Sequence, residues 1–185
     1  MFGQVRFYFD LASADAYVAA ERSHEVLGVV PEWVPIRMAP AFRCAEEVAS
    51  HREDVQRRAA HYGLQPLRWP PEYPFDSEFA MLAATYARQI GRGVAFSLAA
   101  FRQAFAAGRD LGERDTVLIA GAACELHPAA LIKGAELRST RERLDAATAE
   151  AIAAGVRDVP AFQIGERVFS GPNALEEARA SQSLV

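Results

Sequence analysis

Residues 4–28 read QVRFYFDLASADAYVAAERSHEVLG. The first part alternates, with Val5, Phe7 and Phe9 on one face and Arg6, Tyr8 and Asp10 on the other, the period-2 signature of a strand. The second part changes period. Ser13 is suited to cap a helix that turns Tyr17, Ala20 and Leu27 toward a core, and Gly28 supplies the residue that ends it. A second strand, EWVPIR (residues 32–37), completes a β-α-β unit, which implies a right-handed crossover and a parallel pair.

From about Phe42 to Gly155 the chain is alanine-rich and helix-forming, with hardly any strand signal. Phe79, Leu82, Ala83, Tyr86 and Ile90 make one stripe at helical spacing, and Leu98, Phe101 and Phe105 another; both read as helix-packing core. Ser139 with Glu142 three residues on has the pattern of a capping box, opening a helix that should end at about Gly155. LQPLRWPPEYPFD (64–76) is excluded from a helix interior by its prolines and reads as an ordered, aromatic-rich loop. Strand character returns in PAFQI (160–164) and RVFS (167–170), joined at Gly165-Glu166 as a hairpin and followed by a closing helix in GPNALEEARAS (171–181). The order is βαβ, a helical lobe, then ββα. With no internal repeat or low-complexity linker, the expectation is a single domain over 1–185, built from about 1–41 and 156–185 with an all-helical insertion at about 42–155.

Composition narrows the function. A hydrophobic content of 51% in 185 residues is enough for a substantial core. The net charge of −4, from 20 basic and 24 acidic residues, provides no broad cationic field, so neither nucleic acid nor an anionic membrane is an expected partner. No apolar run approaches the roughly 18 residues of a membrane helix, and the start MFGQVRFYFD enters a strand pattern instead of a signal peptide, so a cytoplasmic location is expected. Cys44 and Cys124 are too far apart to build a CxxC redox pair or a zinc knuckle, and His24, His51, His61 and His127 show no metal spacing. No metal is expected. Trp69 and Tyr73, in the proline-rich loop, suit either the wall of an aromatic substrate pocket or loop packing.

The order βαβ, insertion, ββα is that of the thioredoxin-like fold of the α/β class. FYFDLASADAY (7–17) and GVRDVPAFQIGERVFSG (155–171), with YGLQPLRWPPEYP (62–74) between them, resemble the family containing 2-hydroxychromene-2-carboxylate isomerase and the kappa-class glutathione transferases, a branch of the DsbA-like thioredoxin proteins. The resemblance covers most of the chain. It implies a homodimer and a glutathione-like thiol cofactor acting on a small-molecule electrophile. Where oxidoreductases of this fold carry CxxC at the start of the first helix, this chain has Ser13, Ala14, Asp15 and Ala16, so thiol–disulfide exchange through a protein cysteine has no nucleophile. The resemblance gives Ser13 a catalytic and cofactor-binding role, its hydroxyl donating to the ligand's sulfur; a plain helix cap is the alternative, and the two are compatible. It also implies a cis bond at Val159-Pro160, with the Val159 backbone pairing an extended thiol peptide; an ordinary trans turn is the alternative.

Asn173 and Ala174 occupy the positions where the family carries an aspartate and an arginine for the cofactor, and they supply no charge. Asp15 stands where the family prefers an aromatic residue. It reads as a first-turn acid favoured by the helix dipole or, if it points inward, as a charge opposing a thiolate. The leading expectation is a thiol-dependent isomerase or transferase acting on an aromatic or conjugated electrophile. A binding module that keeps the cleft without the chemistry is the alternative, and a disulfide oxidoreductase is disfavoured by the missing CxxC.

Overall fold

In the computed structural model, which describes residues 4–182, the alternating run forms β1 (Val5–Phe9), followed by α1 (Ala14–Leu27) and β2 (Glu32–Pro35). The outer ends of the expected domain, residues 1–3 and 183–185, lie outside the described residues. Ser13 caps α1 by accepting from the Ala16 N–H, and Gly28 closes it in the left-handed conformation at φ 69°. β2 pairs parallel to β1 in the register Phe7 with Trp33 and Phe9 with Pro35.

Between β2 and the next strand the chain is helical: α2 (Ala45–His61), α3 (Glu78–Gln89), α4 (Gly93–Phe105), α5 (Arg114–Ala122), α6 (Pro128–Ala135) and α7 (Arg138–Ala153). β3 (Ala161–Ile164) and β4 (Arg167–Ser170) form the hairpin, its turn made by Gly165 at φ 60°, and α8 (Ala174–Gln182) closes the fold. The sheet order is β2-β1-β3-β4, with β3 antiparallel to both β1 and β4. This is the thioredoxin-like arrangement expected from the element order, with a helical insertion.

Both faces of the sheet are covered. On one, Phe7 stacks on Phe162 at 4.8 Å and meets Trp33 edge-on at 5.0 Å, while Phe9 reaches Phe101 of α4 at 5.7 Å. Tyr17 of α1 adds Phe105 at 5.6 Å, and Ala174, Leu175 and Ala178 of α8 join the same core. On the other face Tyr8, Val34, Ile36, Val159 and Ala161 pack with Ala151 of α7 and Val156. Tyr8 is therefore buried despite lying opposite the phenylalanines, and its hydroxyl is satisfied by Gln163 Oε1 at 2.6 Å.

Two helix readings are corrected. Ile90, expected in the α3 stripe, is the residue beyond the helix end and is 46% exposed, because the chain turns there through Gly91. Ser139 and Glu142 form no capping box. The chain passes from α6 into α7 at Leu137, two residues too early for Ser139 to cap the helix, and Thr140 instead donates to the Gly134 carbonyl at 2.7 Å. Glu142 is taken by Arg138, one turn earlier.

α3 is the centre of the insertion, packing on α4, α5, α6, α7 and β2. Its junction with the sheet runs through Asp10, which is 2% exposed. That carboxylate accepts from the Ala12 N–H at 2.9 Å, the Met38 N–H at 2.9 Å and the Ser77 hydroxyl at 2.8 Å. Asp10→Ala is expected to strand these donors at roughly 1–3 kcal/mol for each one left buried, read as a lowered denaturation midpoint. At the α3–α6 crossing, a Cβ on Gly134 would run into the Tyr86 ring. Gly134→Ala should therefore lose about 1–3 kcal/mol to overpacking, more than the roughly 1 kcal/mol that alanine brings to a helix. A higher urea midpoint in that variant would refute the close approach.

Candidate functional site

Three parts of the chain meet at the N-terminus of α1: the helix start itself, the loop leading into β3, and α2 with the proline-rich loop packed against it. Ser13 is 3% exposed, and its hydroxyl donates to the Val159 carbonyl at 3.3 Å while accepting from Ala16. The Val159-Pro160 bond is cis. The Val159 N–H donates to Asp158 Oδ1 at 2.8 Å. Both backbone groups that the resemblance assigns to a ligand are thus held within the chain, one by Ser13 and the other by Asp158. Pro160 accepts from the Gly171 N–H at 2.9 Å, which fixes the turn leading to Asn173 beside the cis loop.

Asp15 points neither to open solvent nor into an unbalanced site. It forms an ion pair with Arg58 of α2, and His51 Nδ1 lies 3.9 Å from its second oxygen. Burial raises the Asp15 carboxyl above the ordinary carboxylate value, and Arg58 and then His51 counter the rise. The helix dipole favours the same charge. Asp15 is therefore a first-turn acid, and one whose charge is matched by a neighbouring helix.

His51, which sequence reasoning passed over as one of four histidines without metal spacing, is the site's half-buried imidazole. Its Nε2 lies 3.2 Å from the Tyr73 hydroxyl, and the two rings are near-parallel with centroids 6.2 Å apart. Burial pushes the imidazole below its usual value, and Asp15 opposes that shift. The Tyr73 phenol is raised well above its ordinary value, by burial first and by Asp15 second, with the Ala14 backbone N–H acting in the opposite sense. No local pattern announces His51, because its partners come from Asp15 and from the loop more than twenty residues away.

Trp69 and Tyr73 stand together at 4.8 Å, both packed edge-on against Phe105, and the Arg52 guanidinium lies 5.2 Å from the Trp69 ring. Tyr73 is buried and Trp69 half-buried, so the loop is packed onto α4 with part of the indole left exposed. Asn173 is exposed just before α8, whereas Ala174 is 0% exposed and sits in the core. Cys44 is exposed at the start of α2, and Cys124 is buried after α5. Among the described residues no group of histidines, cysteines and carboxylates is arranged to hold a metal, and no helix is long and apolar enough to cross a membrane. A groove of about 470 Å³ lined by Thr85, Arg88, Arg143 and Glu150 is built from β2, α3 and α7, other elements than those meeting at Ser13.

Residues 4–180 match the family model described as DSBA-like thioredoxin domain. No curated protein matches. Among solved structures, a 2-hydroxychromene-2-carboxylate isomerase is similar with a TM-score of 0.84 at 21% identity, over 97% of this chain and 94% of that one. A probable DsbA oxidoreductase from Streptomyces coelicolor gives 0.78 at 17% identity, over 98% and 89%. The cytosolic disulfide reductase DsbM from Pseudomonas aeruginosa, in a structure with GSH, gives 0.67 at 17% identity, over 98% and 100%. At these identities the likeness is one of fold.

The Asp15–Arg58 pair can be tested alone. Arg58→Met should leave Asp15 without its main counter-charge and destabilise the protein by less than the roughly 3–5 kcal/mol of a fully buried pair, since Arg58 retains solvent contact. The loss should shrink in the double variant Arg58→Met, Asp15→Asn, measured by urea denaturation; an equal or larger loss there would show that the pair is not coupled.

Proposed function

We propose, since the chain belongs to the DSBA-like thioredoxin domain family, that it is a thiol-dependent isomerase or transferase whose nucleophile is the thiolate of a bound glutathione-like ligand. One observation carries this reading: the helix start facing a cis-proline loop is retained, yet its residues are Ser13, Ala14, Asp15 and Ala16, with no cysteine among them. A helix N-terminus of this kind favours an anion through its free N–H groups and its dipole. The similarity in fold to an isomerase, and to a reductase in a structure with GSH, supports the same reading.

In the reaction, the ligand's thiolate adds to an activated double bond of an aromatic or conjugated electrophile. The bond becomes single, rotation follows, and elimination restores the double bond and releases the thiolate. A transferase stops after the addition and protonation. The protein supplies orientation and an electrostatic cradle. Ser13 turns its hydroxyl from the Val159 carbonyl to the sulfur, and Val159, released from Ser13 and Asp158, pairs with the ligand's backbone. Trp69 offers the electrophile an aromatic face.

The engaged state of Val159 and the core position of Ala174 favour a second reading, a binding module whose cleft no longer accepts a thiol. Calorimetric titration with glutathione, beside other cellular thiols at equal concentration, separates the two. Saturable binding weakened about tenfold or more by Ser13→Ala, as for loss of a hydrogen bond to a charged group, supports the thiol mechanism. Absence of binding by every thiol, with saturable binding of an extended peptide, supports the module.

A further inference from the structure

Tyr73, His51 and Asp15 stand in line beside the first turn of α1. The Tyr73 hydroxyl is 3.2 Å from His51 Nε2, and His51 Nδ1 is 3.9 Å from Asp15 Oδ2. The Ser13 oxygen already accepts from the Ala16 N–H, and its one proton can reach an anion only by turning from the Val159 carbonyl, so Ser13 suits a donor to the anion and not the base that removes a proton. The Tyr73 hydroxyl lies at the same helix start, where the Ala14 backbone N–H acts on it.

We infer that Asp15, His51 and Tyr73 form a proton-transfer array at the N-terminus of α1, which takes up the proton of an acid seated there, on the reading above the thiol of the ligand. The inference rests on that reading only for the identity of the acid. The S–H bond breaks and its proton goes to the Tyr73 oxygen, while that oxygen's own proton moves to His51 Nε2. A thiolate and an imidazolium result, and no oxidant or reductant is required. The reverse transfer delivers a proton to the adduct.

The surroundings suit this order. Tyr73 is held protonated and so has an O–H to donate to Nε2; in the tautomer this relay uses, the imidazole proton lies on Nδ1, facing Asp15. At 3.9 Å that last contact is Coulombic and not a hydrogen bond. Burial keeps the resting imidazole neutral and ready to accept. Of the other charges acting on His51, Asp54 on its own helix and Asp158 from the cis-proline loop favour the imidazolium, whereas Arg58 opposes it and at the same time balances Asp15. Arg52 lies over Tyr73 at 5.5 Å, and Phe42 and Trp69 enclose the imidazole at 5.0 and 6.5 Å. Tyr73 is the member that would touch the ligand; His51 and Asp15 act through it.

Imidazole nitrogen NMR of the whole protein tests the array without any ligand, with His51 assigned by its loss in His51→Gln. His51 should titrate below the ordinary histidine value with its proton on Nδ1. Tyr73→Phe, which removes the donor that favours the neutral ring, should raise the midpoint, and Asp15→Asn, which removes the nearest negative charge, should lower it. A midpoint unmoved by both variants, or a proton on Nε2, overturns the inference. A second readout is the ultraviolet absorbance of bound glutathione's thiolate against pH. Tyr73→Phe and His51→Gln should still bind glutathione but hold roughly tenfold less of it as thiolate at a fixed pH, one unit of thiol pKa. Binding with an unchanged thiol midpoint in both variants also overturns it. If the wild-type protein binds no thiol while the coupled titration stands, the thiol mechanism fails and the array remains the acid–base centre of the site.

Discussion

The carboxylate of Asp10 closes three chain segments on one point. It stands at the end of β1, where the strand hands over to the turn before α1, and it accepts from the backbone at Ala12 and Met38 and from the hydroxyl of Ser77. Ala12 fixes the entry to α1, Met38 fixes the exit from β2, and Ser77 fixes the start of α3. Burial works against its charge, and the three donors work for it. An apolar residue here would leave buried N–H groups unpaired and would remove the polar link between the sheet and the start of α3. Through that point the orientation of α1, and so of the candidate site, depends on the insertion as much as on the sheet.

The site follows the same pattern of a charge buried with its partners supplied from elsewhere in the chain. Asp15 lies in the first turn of α1, where the helix dipole favours it but where it would oppose a bound anion. Arg58 of α2 meets it and offsets its charge at the helix N-terminus. His51, one helix face along, then takes an intermediate position between Asp15 and Tyr73. In this arrangement the insertion supplies His51, Arg58 and Tyr73, while the thioredoxin-like part supplies Asp15 with the helix start and the cis loop. The covering of Val159 by Ser13 and Asp158 shows how the cleft satisfies its own backbone groups.

Much of the fold was legible along the chain because the relevant interactions are local. Alternation in VRFYF, the Ser13 cap, the left-handed Gly28 and the Gly165 turn depend on side-chain period and backbone freedom within a few residues, and each appears where the sequence places it. The helical stripes at Phe79–Tyr86 and Phe101–Phe105 were legible for the same reason. The Ser139–Glu142 pattern misled because a capping box also requires the chain to enter the helix at Ser139. That entry is set by where α6 ends, not by the box. Ile90 misled because helical spacing continues in a sequence after the helix itself has stopped at Gln89.

The sequence by itself determined the order βαβ, helical insertion, ββα, the loss of cysteine from the first helix start, and Ser13 as that helix's cap. These follow from period, propensity and identity at single positions. Only the tertiary structure decided that Asp15 is matched by Arg58, that Tyr73 and His51 meet beside α1, and that Ala174 belongs to the core while Asn173 is exposed. Each of these depends on which helix faces lie together across gaps of tens of residues. Charge pairing and burial are properties of that juxtaposition, and no local pattern in the chain encodes it.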